Sequence, residues 1–452
     1  MTDKITIEID GRACEATPGE MIIAVADREG ISIPRFCYHK KLSIAANCRM
    51  CLVEMEQNGR PFPKPVPACA TPVCAGLKVQ TRSPKALEAQ KGTMEFLLIN
   101  HPLDCPICDQ GGECELQDVA MGYGRDVSRY VERKRVVMDQ DLGSLIATDM
   151  TRCIHCTRCV RFGAEFAGLR ELGATGRGEQ VRIGTFVEYT MAHELSGNII
   201  DLCPVGALTS KPYRFQARAW ELTQAPGLAP HDALGSNLNL HLRRGRVMRV
   251  HPRENEAINE TWISDRDRFS YEGLYSEDRL TAPLVKKDGV WEAIGWSEAL
   301  QLAATRLKAA GASLGTLISP AATLEEMYLA QKLTRGLGSN DIDCRLRQQD
   351  FRADANAPLL PWLGVPIAAV ERQQAILLVG SDIRAEVPLL AHRIRKAAME
   401  IGARVFVINP YGLDLTFPAD QLIGTPTANL QDLAAIAKAL GVKGSGSLKA
   451  LI

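Results

Sequence analysis

Twelve side chains in the first half of this chain fall into three separate groups of four, and each group has the spacing of a metal-cluster site. The first is Cys37, Cys48, Cys51 and Cys69, spaced C-x10-C-x2-C-x17-C. The second is His101, Cys105, Cys108 and Cys114, spaced H-x3-C-x2-C-x5-C. The third is Cys153, Cys156 and Cys159, spaced C-x2-C-x2-C, with a remote Cys203-Pro204. Such a pattern constrains the fold strongly. The loops carrying these residues must converge in space, and the intervening segments must let them.

The chemistry of the groups follows from their donors. Thiolates are soft ligands that suit iron, and four of them hold a two-iron or four-iron cluster. The third group combines the start of a bacterial ferredoxin run with its terminal Cys-Pro. With no second set nearby, one four-iron cluster is the economical reading. In the second group a neutral imidazole replaces one thiolate, so a cluster there would carry one negative charge fewer. In the first group Cys69 and Cys74 are both available as fourth ligand, and Cys69 is preferred. That site is expected near the surface of its domain. Zinc is the competing occupant, since it also accepts four cysteines or three cysteines and a histidine.

Of 14 cysteines, 13 precede residue 204. Their C-x2-C units, in a chain of 452 residues, argue for metal binding in a reducing compartment over a disulfide scaffold. Cys14 is expected in a hydrophobic core and Cys344 stands alone. Lys+Arg and Asp+Glu are equal at 53 each, which removes any global electrostatic case for nucleic acid or anionic lipid. No run approaches the ~20 apolar residues of a membrane span. Met1-Thr2-Asp3-Lys4 leads directly into an alternating strand with no targeting pattern.

Four regions are expected. Residues 1–80 read as strand, Asp10-Gly11 hairpin, strand, a helix over 21–28, then a cysteine-bearing loop, the order of a β-grasp ferredoxin. Residues 81–125 begin with a helix over 86–100 and end in a Cys/Gly/Asp-rich loop. Residues 126–218 hold the third group. Residues 219–452 change texture: strands at 237–241 and 246–250, then alternating elements. Ala375–Gly380 reads as a buried strand, Leu389–Glu400 as a helix and Val405–Ile408 as a strand, a β–α–β run that indicates a parallel sheet. His155 is read as a polar neighbour of the third group, Gly173–Gly178 as a loop, and the basic stretch Arg129–Arg135 as a solvated or partner-facing surface.

Several strings are more specific than spacing. They include Arg35-Phe36-Cys37-Tyr38-His39, Asn47-Cys48-Arg49-Met50-Cys51, the run from His101-Pro102-Leu103-Asp104-Cys105 to Gly111-Gly112-Glu113-Cys114, Thr151-Arg152-Cys153 through Cys159-Val160-Arg161, and Asp201-Leu202-Cys203-Pro204-Val205-Gly206. Together they resemble the large iron–sulfur subunit family of NADH–quinone oxidoreductase, the 75 kDa type of respiratory complex I. The resemblance implies an α+β first half: a β-grasp [2Fe–2S] ferredoxin, a helical His/Cys3-ligated [4Fe–4S] module and a bacterial-ferredoxin-like [4Fe–4S] module. An α/β molybdopterin-oxidoreductase-like domain comes next, which looks incomplete, a truncated chain being the expectation.

It further implies one [2Fe–2S] and two [4Fe–4S] clusters, with Ala68-Cys69-Ala70 matching the family's fourth ligand of the first. They would pass electrons from a flavin-bearing subunit towards quinone. Expected partners are the other peripheral-arm subunits: the flavin/NADH-binding, ferredoxin-like and quinone-site chains, which would bind NADH and quinone themselves. The expected place is peripheral, without membrane insertion, on the cytoplasmic face of a bacterial inner membrane or the matrix side in mitochondria. No catalytic residue and no molybdopterin are expected: residues 219–275 contain no cysteine, and Cys344 is offset from the position expected of a molybdenum ligand. The alternative is the electron-transfer subunit of an NAD-reducing hydrogenase or of a formate dehydrogenase complex.

Overall fold

The computed structural model describes residues 4–186, 190–345 and 362–441. Its N-terminal sheet has the strand order Arg12–Ala16, Ile5–Ile9, Leu77–Gln80, Leu52–Gln57, Arg60–Pro61, with Val66–Pro67 also paired to Leu52–Gln57. Ile5–Ile9 and Leu77–Gln80 run parallel, while Ile5–Ile9 and Arg12–Ala16 form an antiparallel hairpin at Asp10-Gly11. Alternation places Ile7 and Ile9 inward, where they pack on Ile22, Ile23 and Val25 of the helix Ile22–Arg28. Cys14 lies in this core, as its residue type suggests.

The helix Pro84–Leu98 joins this sheet to the second cysteine-bearing module. Ser83 caps it by accepting from the Ala86 amide, and Pro84 pre-sets its first turn. It buries Ala86, Gln90 and Met94, four residues apart on one face. Gln90 donates to the carbonyls of Leu52 and Thr81, which fixes the helix against the sheet. The segment Arg129–Arg135 does not simply face water. Arg129 pairs with Glu95, and Lys134 donates to the carbonyls of Leu98 and Ile99 at the end of the same helix.

A second, larger core runs through residues from Phe36 to Leu389. It gathers Phe36 and Met50 from the first ligand loop, Met94 and Leu116 from the helical module, Phe162, Phe166 and Ile199 from the third, and Trp262 beyond them. The Trp262 ring lies 5.5 Å from His39, 5.3 Å from Phe162 and 4.4 Å from Phe166. Segments far apart in sequence therefore share one apolar interior. The strands Ile146–Thr148 and Leu208–Ser210 pair antiparallel within it.

Leu172–Thr175 and Arg182–Thr185 form a hairpin, so the glycine-rich stretch is partly strand rather than loop. Gly173 and Gly184 face each other there, and the missing side chains leave room for Phe186 and Gln140. The strands Asn237–Arg243 and Arg246–Pro252 form a three-stranded antiparallel sheet with Thr223–Leu228. Further on, Ala375–Val379, Arg404–Asn409 and Asp420–Ile423 form a parallel sheet, with the helix Pro388–Glu400 crossing between the first two. The strand Ala375–Val379 is not buried on both sides. Ile376 and Leu378 pack on the helix side, whereas Leu377 and Val379 are 43% and 47% exposed because nothing among the described residues covers that face.

Candidate metal centres

The first group meets where the two cores touch. Cys51 and Cys69 belong to the sheet's core, Cys37 and Cys48 to the larger one. The ferredoxin-like domain taken alone would leave this site near its surface. Within the whole molecule all four residues are buried, because the neighbouring segments close over that surface. Ala46 and Arg49 adopt positive φ beside Cys48, a strained backbone that winds the loop tightly. The Cys37 amide donates to Cys48 Sγ at 3.4 Å. The neighbouring thiols shift one another, with Cys37 and Cys51 lowered and Cys48 and Cys69 raised. Cys74 stands apart, accepting from Gln57 Nε2 at 3.1 Å.

In the third group Cys153, Cys156, Cys159 and Cys203 all line one small, mostly apolar cavity with Met150, Ile183, Val205 and Leu208. His155 and Thr157 take positive φ between the ligands, so the chain turns at each interval. Burial pushes Cys153 up to about 11, and Cys156 and Cys203 up to about 12. Thiolates thus form here only when compensating positive charge arrives with them.

The second group is more open. His101, Cys105 and Cys114 share a cavity beside Leu116 and Met121. Burial, with the nearby charges of Lys134 and Arg152, lowers His101 to about 4, so its ring is neutral at pH 7 as ligation requires. Its Nδ1 is buried with no protein partner. Cys108 does not line that cavity. Its sulfur packs against Gly206, where a Cβ would come within 2.1 Å of it. Cys114 is raised to about 11 by burial and contacts the Pro204 carbonyl at 3.7 Å.

The donors fit iron–sulfur clusters. Four thiols lining one apolar cavity, four neighbouring thiols where the two cores touch, and an orphaned imidazole nitrogen beside two thiols with a third at Gly206 are donor sets of the right softness and number. Among the described residues no three His, Cys, Asp or Glu side chains converge on a single-ion site.

Spacing does not point to the arginines between the ligands. Arg152, beside Cys153, pairs with Asp104 at 3.0 Å and Asp149 at 2.9 Å and donates to the Gly206 carbonyl. Arg161 donates to the carbonyls of Cys37 at 2.5 Å and Cys156 at 3.2 Å. Arg158 reaches Tyr38, Leu202 and Glu115. Asn47 donates to the His155 carbonyl at 3.1 Å. The signal that could have found the arginines is their alternation with cysteine in the run 152–161.

Sequence-family models match in an order that agrees with this layout. A 2Fe-2S iron–sulfur cluster binding domain matches residues 2–84, and an NADH-ubiquinone oxidoreductase-G iron–sulfur binding region matches 90–129. The ferredoxin-like domain of NADH-quinone oxidoreductase subunit 3 matches 143–209. An NDSU1/NuoG-like 4Fe-4S domain matches 228–272, and molybdopterin oxidoreductase matches 279–452. The residues matched at 228–272 include no cysteine.

The class so defined is a modular iron–sulfur protein, ferredoxin-type domains followed by a molybdopterin-oxidoreductase-type domain. Three relatives are specific. The mitochondrial NADH dehydrogenase [ubiquinone] iron–sulfur protein 1 of Solanum tuberosum is 44% identical, over 96% of this chain and 58% of that protein. The corresponding NADH-quinone oxidoreductase subunit of Rickettsia felis is 43% identical, over 93% and 63%. The NADH-ubiquinone oxidoreductase 75 kDa subunit of Reclinomonas americana is 43% identical, over 92% and 62%. The chain belongs to this family, the large iron–sulfur or 75 kDa subunits of NADH–quinone oxidoreductase. It spans roughly three-fifths of the length of these relatives.

Proposed function

We propose that this chain is an electron-transfer subunit of a proton-pumping NADH–quinone oxidoreductase, holding one [2Fe–2S] and two [4Fe–4S] clusters. When bound, such clusters supply one-electron redox chemistry at fixed positions. Cys37, Cys48, Cys51 and Cys69 would hold the first. His101, Cys105, Cys108 and Cys114 would hold the second. Cys153, Cys156, Cys159 and Cys203 would hold the third.

The observation that carries this reading is that side chains of all three groups enter one core, joined by direct contacts: Asn47 to His155, Arg161 to Cys37 and Cys156, Cys114 to Pro204. The chain's own part is to bind, to keep the three sites in fixed relation and to exclude water from the first and third. Flavin, NADH and quinone would be bound by partner subunits, and the sequence from 219 onward would serve as a scaffold without molybdopterin. No described helix is long and apolar enough to cross a membrane, which suits a peripheral place on the cytoplasmic or matrix face.

Anaerobic purification with iron, sulfide, zinc and molybdenum analysis, followed by EPR, tests the reading. About ten irons per chain and no molybdenum are expected. Stoichiometric zinc in place of iron would overturn it.

A further inference from the structure

Arg158 occupies a place no ligand spacing predicts. It precedes Cys159, and its side chain is only 5% exposed. One guanidinium fork touches a residue adjacent to a ligand of every group. Nη2 donates to the carbonyl of Tyr38, next to Cys37, at 3.0 Å. Nη1 donates to the carbonyl of Leu202, next to Cys203, at 3.3 Å. Both nitrogens donate to the carboxylate of Glu115, next to Cys114, at 2.9 and 3.1 Å. The remaining donor, Nε–H, is buried without a protein acceptor.

A guanidinium keeps its charge in any protein environment, and its planar fork holds several acceptors in fixed directions. Glu115 offsets that charge incompletely. Its side chain is 45% exposed and water-screened, whereas Arg158 is enclosed. The net local field is therefore positive. A centre that accepts an electron gains negative charge, and a fixed buried cation nearby favours that state.

We infer that Arg158 is a positioning residue common to the three sites: its fork sets their mutual arrangement, and its charge, moderated by Glu115, favours electron uptake at the second and third. This rests on the cluster reading proposed above.

The test is a potentiometric titration of the full chain, isolated anaerobically with its clusters, using dithionite and one-electron mediators with EPR detection. Arg158→Gln should make reduction of the third-site cluster roughly tenfold less favourable, about 59 mV lower for one electron. Glu115→Gln should shift the second and third sites the other way. Arg158→Lys, which keeps the charge, should restore most of the loss. Opposite signs for the two neutralising variants support the inference, since simple loosening has no reason to produce them. Shifts of the same sign, or none beyond about threefold, overturn it. If Arg158→Gln fails to load clusters, Glu115→Gln decides alone: an upward shift supports, no shift overturns. A parent chain without iron and sulfide sinks the cluster reading itself, whereas a loaded parent with unmoved variants sinks only the inference.

Discussion

Two residues of the second site invite direct tests. His101 carries a neutral ring whose Nδ1 has no protein partner. Replacing it by cysteine adds a thiolate and one negative charge to that site alone. One four-iron EPR signal should move, and the two-iron signal should stay as it is. A change in the two-iron signal instead would mean that His101 belongs with the first group. Gly206 is the second case. A Cβ there would lie 2.1 Å from Cys108 Sγ, with the Gln110 Cβ at 3.2 Å leaving little room to retreat. Gly206→Ala should displace Cys108 and weaken the second-site signal at least severalfold, while the first-site signal persists. Iron content and EPR of the same sample would show it.

At the scale of elements, the helix Pro388–Glu400 is held to distant loops through Arg393, a buried side chain. Arg393 pairs with Glu371 and donates to the carbonyls of Glu256 at 2.9 Å and Ile258 at 2.8 Å. Truncating it leaves those carbonyls enclosed and unpaired. Arg393→Ala should therefore cost about 2–4 kcal/mol in urea unfolding, with cluster signals unchanged in the folded fraction. This docking is invisible in the sequence. The period of apolar residues announces the helix, but a cation whose carbonyl acceptors lie some 135 residues away leaves no local trace. The same limit separates what was legible at the metal sites. Spacing and ligand chemistry single out the twelve proposed ligands, local alternation marks the strand Ile5–Ile9, and a short apolar run marks the strand Arg404–Asn409. The contact of Cys108 with Gly206, the burial of the first site by its neighbours and the half-exposed strand Ala375–Val379 depend on how segments pack, which no window of sequence contains.

The molecule as a whole encloses many neutral imidazoles. Away from the metal ligands, His193 and His241 are lowered to about 4 by burial, and His251 and His392 are lowered in the same direction for the same reason. In the unfolded chain each would titrate near 6.5. Between these values the unfolded state binds more protons than the folded one, so stability rises with pH. The contribution is complete above about pH 6.5 and is lost as pH falls through that value towards 4. Each such histidine adds a slope of up to about 1.4 kcal/mol per pH unit within the window. Glu260 acts in the same sense at lower pH. Burial alone would raise it, but hydrogen bonds from His392 and Lys41 and the charge of Lys396 hold it well below the usual carboxylate range. Its contribution is present above its unfolded value and fades as pH drops further. The melting temperature should accordingly fall steeply from pH 7 to pH 5, before most carboxylates titrate. Cluster loss in acid could mimic such a fall, so the discriminating measurement is the slope in His193→Gln and His241→Gln. Both replacements remove a titrating group without touching a proposed ligand. Each should flatten the dependence of melting temperature on pH between 7 and 5, and parent-like slopes in both would show that the buried imidazoles are not its source.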